Sequence, residues 1–384
     1  METNDPLDPI PLVWTDDPLD VYRELRENHP LHYVEDRDLF VLSRYEDILA
    51  AIKDSKTWSS ASGVVPSGFK PDKPTVITID PPDHTQMRHA VNRAFTPRRI
   101  EVLSTRIRSM ARELTRAMPK EGPADAFHAF TDPLPLYVMA ELLGVDREQR
   151  SMFKRCGDAI VYATETDPET LLSAQTELTD YLAVVFEERR RAPKEDLISL
   201  LLTESPEGAA LSEDDLLGLC FLLLVAGTET TTSGLGNALL LLDRYRDARE
   251  RIIDDPSLLK TAVDEVLRFD APVQGLSRVA TRDVELYGRA IPKGARVHLL
   301  FAAANRDPGV FADPDRFDIE RTPNPHLSFG FGVHFCLGAS LARMELRLGL
   351  EEFLRHAPAY VVADGVERLK SDTNRGFARL PVVI

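Results

Sequence analysis

Apolar residues recur at the three-and-four spacing of amphipathic helices along most of this 384-residue chain. The spacing predicts helices over Pro18–Asn28, Pro82–Ala94, Ile100–Met118, Pro168–Arg191, Ser212–Tyr245, Ser257–Phe269 and Leu337–His356. Short β-like pieces interrupt it at Leu31–Val34, Leu39–Leu42, Asp283–Leu286, Arg296–Leu300 and near the C-terminus. They are too few for a central sheet, so the fold class is mainly α with small peripheral β-sheets. Pro292-Lys293-Gly294 marks a tight turn between two strands, and the proline-rich run Asn305–Pro325 reads as a long ordered loop.

No Ser/Gly linker, low-complexity run or fixed-period repeat divides the chain. One large domain over residues 1–384 is therefore expected, with about 1–17 as an N-terminal extension. The 46 basic and 62 acidic residues give a formal charge of -16, which argues against nucleic acid as a partner. Three scattered cysteines do not make a disulfide framework and suggest a reducing compartment. No basic and apolar leader opens the chain, and the most apolar run, Leu216–Val225, falls short of the roughly 20 residues needed to cross a bilayer. The expectation is a cytoplasmic protein without a membrane anchor.

The chemistry concentrates in Phe329-Gly330-Phe331-Gly332-Val333-His334-Phe335-Cys336-Leu337-Gly338. Its glycines permit positive φ and close backbone approach to a flat ligand. Helical spacing resumes behind it, placing Cys336 at or just before a helix N-terminus, where dipole and free amides favour a thiolate. Cys156 and Cys220 lack these surroundings and read as core residues. A structural zinc site would need four ligands, but only His334 and His326 lie nearby. A nucleophilic thiol would need a histidine in contact, and His334 two residues away points elsewhere. A single axial thiolate on haem iron fits best.

Three further segments bear on this. Ala226-Gly227-Thr228-Glu229-Thr230-Thr231 interrupts an apolar helix whose start, Ser212-x-x-Asp215, suits a capping box. Glycine costs up to about 1 kcal/mol in a helix interior, so a local kink or widening is expected there. Glu265 and Arg268 form an i,i+3 pair, common on helices. His84 and Arg88 share one face of a helix opened by Asp80-Pro81-Pro82, where the arginine offers a fork to a carboxylate.

Phe329-x-x-Gly332-x-x-x-Cys336-x-Gly338 resembles the haem-binding signature of the cytochrome P450 family. The likeness extends from about Pro18 to the C-terminus and implies the P450 fold with haem b. It implies Cys336 as the iron's axial ligand, Phe329 packed near the sulfur, and Gly332 and Gly338 in the turn. His84, Arg88, Arg278 and His334 would hold the haem propionates. The 226–231 segment resembles the family's oxygen-activation motif, with Thr230 and Glu229 serving proton delivery; glutamate stands where aspartate is common. Glu265 and Arg268 resemble the Glu-x-x-Arg pair, and Arg316 matches the third member of that network.

The resemblance implies a monooxygenase inserting one atom of O₂ into a hydrophobic organic substrate by hydroxylation, epoxidation or dealkylation. NAD(P)H electrons would arrive through a separate ferredoxin and its reductase, with Arg93, Arg98, Arg99, Arg343 and Arg347 as a candidate basic docking patch. By family position Leu222, Val225, Ala226, Val273, Leu276, Ser277, Phe377 and the segment Ser59–Phe69 approach the substrate pocket. A peroxide-dependent peroxygenase is the alternative, though it would not need Glu229 and Thr230. A non-haem helical binding protein is another, and it would leave four motif matches to chance.

Overall fold

The computed structural model describes residues 4–15, 17–70, 75–92, 95–119, 122–162, 167–203 and 211–384. Helices dominate and pack around Glu213–Arg244, which contacts Pro133–Leu142, Arg150–Val161, Leu259–Phe269 and Ala339–His356. Ser212 caps its first turn: the hydroxyl accepts from the Asp215 amide, and the Asp215 carboxylate accepts from the Ser212 amide in return. Leu235, Ala238, Leu239 and Leu242 are buried with Phe130, Leu346 and Phe353 in the largest core. By length and composition alone this helix could cross a membrane, whereas Leu216–Val225 alone is too short. Half of its apolar window is buried inside the protein.

The expected interruption at Gly227 does not occur, since Glu213–Arg244 is α-helical throughout. A Cβ there would lie 2.4 Å from Met139 Cε on Pro133–Leu142, so the flexible end of that methionine occupies the space the glycine leaves. The Thr230 hydroxyl donates to the Ala226 carbonyl at 2.8 Å, a local bond that threonine can make without breaking the helix.

The β structure lies to one side. A five-stranded sheet runs in the order Leu31–Val34, Leu39–Leu42, Arg296–Leu299, Leu276–Ala280, Trp58–Ser59. Its second and third strands are parallel, pairing Leu39 with Arg296 and Leu42 with Leu299, and the other pairs are antiparallel. Val284–Leu286 and Arg289–Ile291 form a hairpin whose turn places Tyr287 at φ 54 and Gly288 at φ 69. A three-stranded sheet near the C-terminus and a second two-stranded ribbon complete the set.

Among the described residues before Leu19–Asn28, part of the expected extension packs onto the protein. Ile10 and Val13 are buried, and the Arg375 guanidinium donates to the carbonyls of Val13 and Thr15 at 2.9 and 2.6 Å.

Candidate functional site

The cysteine turn folds as its glycines require. Gly330 and Gly332 adopt φ of 65 and 69, and the Gly330 amide bonds to Leu327 O at 2.8 Å. The Cys336 amide donates to Phe329 O at 2.9 Å, tying the cysteine to the aromatic seven residues earlier. Ala339–His356 then begins behind the sulfur, capped by Gly338. Gly338 has an ordinary φ of -85, and a Cβ there would meet no protein atom within 4 Å. Neither backbone strain nor a protein neighbour calls for glycine at this position; a flat group lying against the turn does.

Burial pushes the Cys336 thiol up. The Gly338 amide, the Arg88 and Arg343 guanidinium groups and the Ala339 amide pull the other way without overcoming it. The helix start therefore lowers the thiol as expected, but the protein's own charges do not ionise it. Metal coordination deprotonates a thiol outright. Arg343 lies over the Phe329 ring at 4.5 Å and donates to Asp264 Oδ1 at 2.7 Å, an oxygen that His326 Nε2 approaches at 3.3 Å.

Four basic side chains converge beside the turn. His84 and Arg88 come from Asp83–Asn92, Arg278 from the strand Leu276–Ala280, and His334 from the turn itself. The two imidazoles lie 4.3 Å apart between centroids, and His334 Nε2 is 3.2 Å from Ser60 Oγ. Both ring nitrogens of buried His84 lack a partner among the described residues. Arg278 is buried, with Nη1 on Ser277 O at 2.8 Å, and burial lowers its pKa to about 10. Burial, then Arg278, His84 and Arg88, depress His334 to about 3, and burial followed by Arg88 depresses His84.

Asp80 is the carboxylate that acts on this cluster, and it is engaged by Ser59 Oγ at 2.5 Å and the Ser60 amide at 2.9 Å. Neither Arg88 nor Arg278 forms an ion pair among the described residues. Two guanidinium groups without a carboxylate partner, beside a buried imidazole whose nitrogens meet no described polar group, suit an anion. Two carboxylates beside a flat body would supply it. His84, Arg88, Arg278, His334, Gly338 and Cys336 thus fit the propionates, face and iron of a haem.

On the helix Glu213–Arg244, burial raises the Glu229 carboxyl, partly offset by a hydrogen bond with the Asn374 side chain. The Thr228 and Thr232 hydroxyls are buried without partners among the described residues. Ala226 is exposed, and Leu222, Val225, Val273 and Leu276 are half-buried, as a cavity wall requires. Two pocket expectations fail. Phe377 is 2 % exposed, packed against Gly236 beneath the Arg368 guanidinium, and belongs to the core. Ser277 is fully buried, its hydroxyl 3.2 Å from His298 Nδ1 and its amide on Val64 O.

Glu265 and Arg268 form a fork-to-fork pair at 2.7 and 2.8 Å, both side chains fully buried. The third member is Arg321, not Arg316. Arg321 Nε lies 3.2 and 3.3 Å from the Glu265 oxygens, whereas the exposed Arg316 contributes only its carbonyl, which accepts from Arg268 and Arg321. Two arginines five residues apart in one loop look alike in sequence; which one turns inward depends on the loop's path. Asn374 also escaped the sequence reading, since nothing local distinguishes it. Of the candidate basic patch, Arg98 and Arg99 are exposed, Arg347 is half-buried, and Arg343 is engaged by Asp264; Arg93 lies outside the described residues.

A glycine-turned cysteine, a cluster of basic side chains beside it and a Glu-Thr pair on a long central helix are the arrangement that a haem-thiolate oxygenase would use. The family model of cytochrome P450 matches residues 158–382, and the chain belongs to that family. Cytochrome P450 109 of Bacillus spizizenii is 36% identical over 96% of this chain and 92% of its own length. The vitamin D(3) 25-hydroxylase of Pseudonocardia autotrophica is 37% identical, with 96% and 94% covered. The crystal structure of CYP109E1 from Bacillus megaterium in complex with testosterone superposes with TM-score 0.88, at 33% identity, covering 95% of this chain and 99% of that one. The protein is a bacterial-type P450 monooxygenase, of a family that carries haem.

Proposed function

We propose that the chain oxidises a rigid hydrophobic substrate of steroid size in the cytoplasm, as one P450 domain, taking NAD(P)H electrons from a separate ferredoxin and reductase. The observation that carries this reading is the cluster of buried His84 and Arg278 with half-buried Arg88 and His334 beside Cys336. The orphaned His84 imidazole and two guanidiniums that bond only to neutral groups among the described residues match a dianionic flat cofactor. The substrate class rests on the half-buried apolar residues Leu222, Val225, Val273 and Leu276, and on relatives named as a vitamin D(3) 25-hydroxylase and as a complex with testosterone.

Cys336 would hold the iron, and the four basic side chains would hold the propionates. When bound, the haem supplies dioxygen activation, with one oxygen atom entering the substrate and the other leaving as water. The protein manages protons. Burial raises the Glu229 carboxyl above its ordinary range, which favours its protonated form and suits it to passing a proton. The Thr230 hydroxyl donates to Ala226 O, so its lone pairs are free to accept a hydrogen bond from water or substrate. Asn374 bonds the charged form of Glu229 and limits how far that carboxyl rises.

The test is turnover under labelled dioxygen with a surrogate ferredoxin, reductase and NADH, using a hydrophobic panel headed by testosterone. One labelled oxygen per product, dependent on NADH, is expected. Product formed with peroxide but never with reduced ferredoxin would contradict the proposal.

A further inference from the structure

Two turns meet at the proposed cavity wall, one running from Asp270 to Leu276 and one from Ser371 to Phe377. They are joined by an isolated bridge between Val273 and Asn374 and by the Gln274 amide on Thr373 O at 2.8 Å. The second turn presses on the central helix, since a Cβ on Gly376 would lie 2.2 Å from Ser233 Oγ. Asn374 in the same turn reaches Glu229. The position of these turns therefore sets both the wall and a partner of the proton-handling carboxyl.

One buried side chain ties the assembly together. Arg375 donates from Nε to Asp270 Oδ1 at 2.7 Å and from Nη1 to Val13 O and Thr15 O, while its amide donates to Pro272 O at 2.7 Å. Asn237 Nδ2, two turns along the helix from Glu229, donates to Arg375 O at 2.9 Å and Asp270 O at 3.1 Å. Arg375, Asp270 and Asn237 thus close a ring linking the N-terminal segment, both turns and the helix. We propose that Arg375 is a positioning residue for the substrate pocket, and that the segment around Val13–Thr15 is a strap bracing the pocket wall through it. This rests on the reading of Val273 and Leu276 as pocket lining.

Arg375→Lys keeps a cation beside Asp270 but lacks the fork that also reaches the strap, and Arg375→Ala removes both. Dissociation constants for imidazole, 4-phenylimidazole and clotrimazole are read from the Soret shift of the ferric holoproteins. Imidazole binding and the reduced carbon monoxide band should stay unchanged. The constant for the largest azole the wild type binds should change by roughly tenfold in the alanine variant, the factor that one charge-assisted hydrogen bond corresponds to. The lysine variant should fall between. A bulky-to-small ratio unchanged in both variants, or equal losses for every azole, would overturn the proposal.

Hydrogen exchange provides a readout independent of haem. Faster exchange in Arg375→Lys confined to the strap and the two turns supports the clamp, and unaltered exchange there refutes it. Should the wild type lack a thiolate band, the haem reading fails while this exchange pattern still decides the clamp.

Discussion

Replacing Arg321 should cost far more stability than replacing Arg316, and replacing Arg268 more than either. Arg321 bonds both oxygens of Glu265 through Nε and also donates to the carbonyls of Ala312, Asp313 and Arg316. Its loss does not strand Glu265, which keeps the Arg268 fork, the Asp318 amide at 2.8 Å and Asn324 Nδ2 at 3.2 Å. The cost is then that of charge-assisted bonds lost from a retained network, about 2–4 kcal/mol. Arg268→Ala would leave a fully buried carboxylate without its main partner, at the upper end of about 3–5 kcal/mol or beyond. Arg316→Ala removes an exposed side chain whose structural contribution is its carbonyl, so the change should stay within about 0.5 kcal/mol. Urea unfolding of the holoproteins at matched haem content gives the order, provided the slope is unchanged. Equal losses for Arg316→Ala and Arg321→Ala, or a larger loss for Arg316, would refute the assignment.

Three other outcomes follow from the site. His84→Phe combined with Arg278→Leu should accelerate haem transfer to apomyoglobin at least tenfold, since about 1.4 kcal/mol suffices for that factor and two charge-assisted contacts are removed; an unchanged rate would remove the cluster from cofactor retention. Glu229→Gln should preserve NADH consumption while diverting it from product to hydrogen peroxide, measured as the product-to-NADH ratio; full coupling would sink the proton role. Burial depresses His298 to about 3, so the folded state binds fewer protons than the unfolded one below about pH 6.5. Its stability contribution is complete above that pH and falls on acidification toward 3, by about 1.4 kcal/mol per unit at most. Apoprotein carrying His298→Gln should lose this share of its acid sensitivity in urea titrations at pH 7 and 5.

What could be read from the chain was what is encoded locally. The cysteine turn needs glycines at fixed offsets, and the capping box at Ser212 and the Glu265-Arg268 pair are contained within one helical turn, so short windows carry them. The strand Leu276–Ala280 carries a serine and an arginine and shows little alternation, yet it pairs on both sides because its neighbours are brought to it. The parallel pairing of Leu39–Leu42 with Arg296–Leu299 joins segments more than half the chain apart and leaves no local mark. Phe377 looked like a pocket residue because apolar side chains line pockets and cores alike; the glycine at 236 opens the slot that buries it. The choice between Arg316 and Arg321, and the reach of Asn374 to Glu229, depend on loop paths that no single-residue pattern specifies.

The central claim is that Cys336 would ligate the iron of a haem as a thiolate and that His84, Arg88, Arg278 and His334 would hold its propionates. The reduced carbon monoxide difference spectrum of the purified protein measures it most directly. The account predicts a Soret band shifted far to the red in the wild type and absent in Cys336→Ala. A colourless protein after haem-replete expression, or survival of the shifted band in Cys336→Ala, would contradict it.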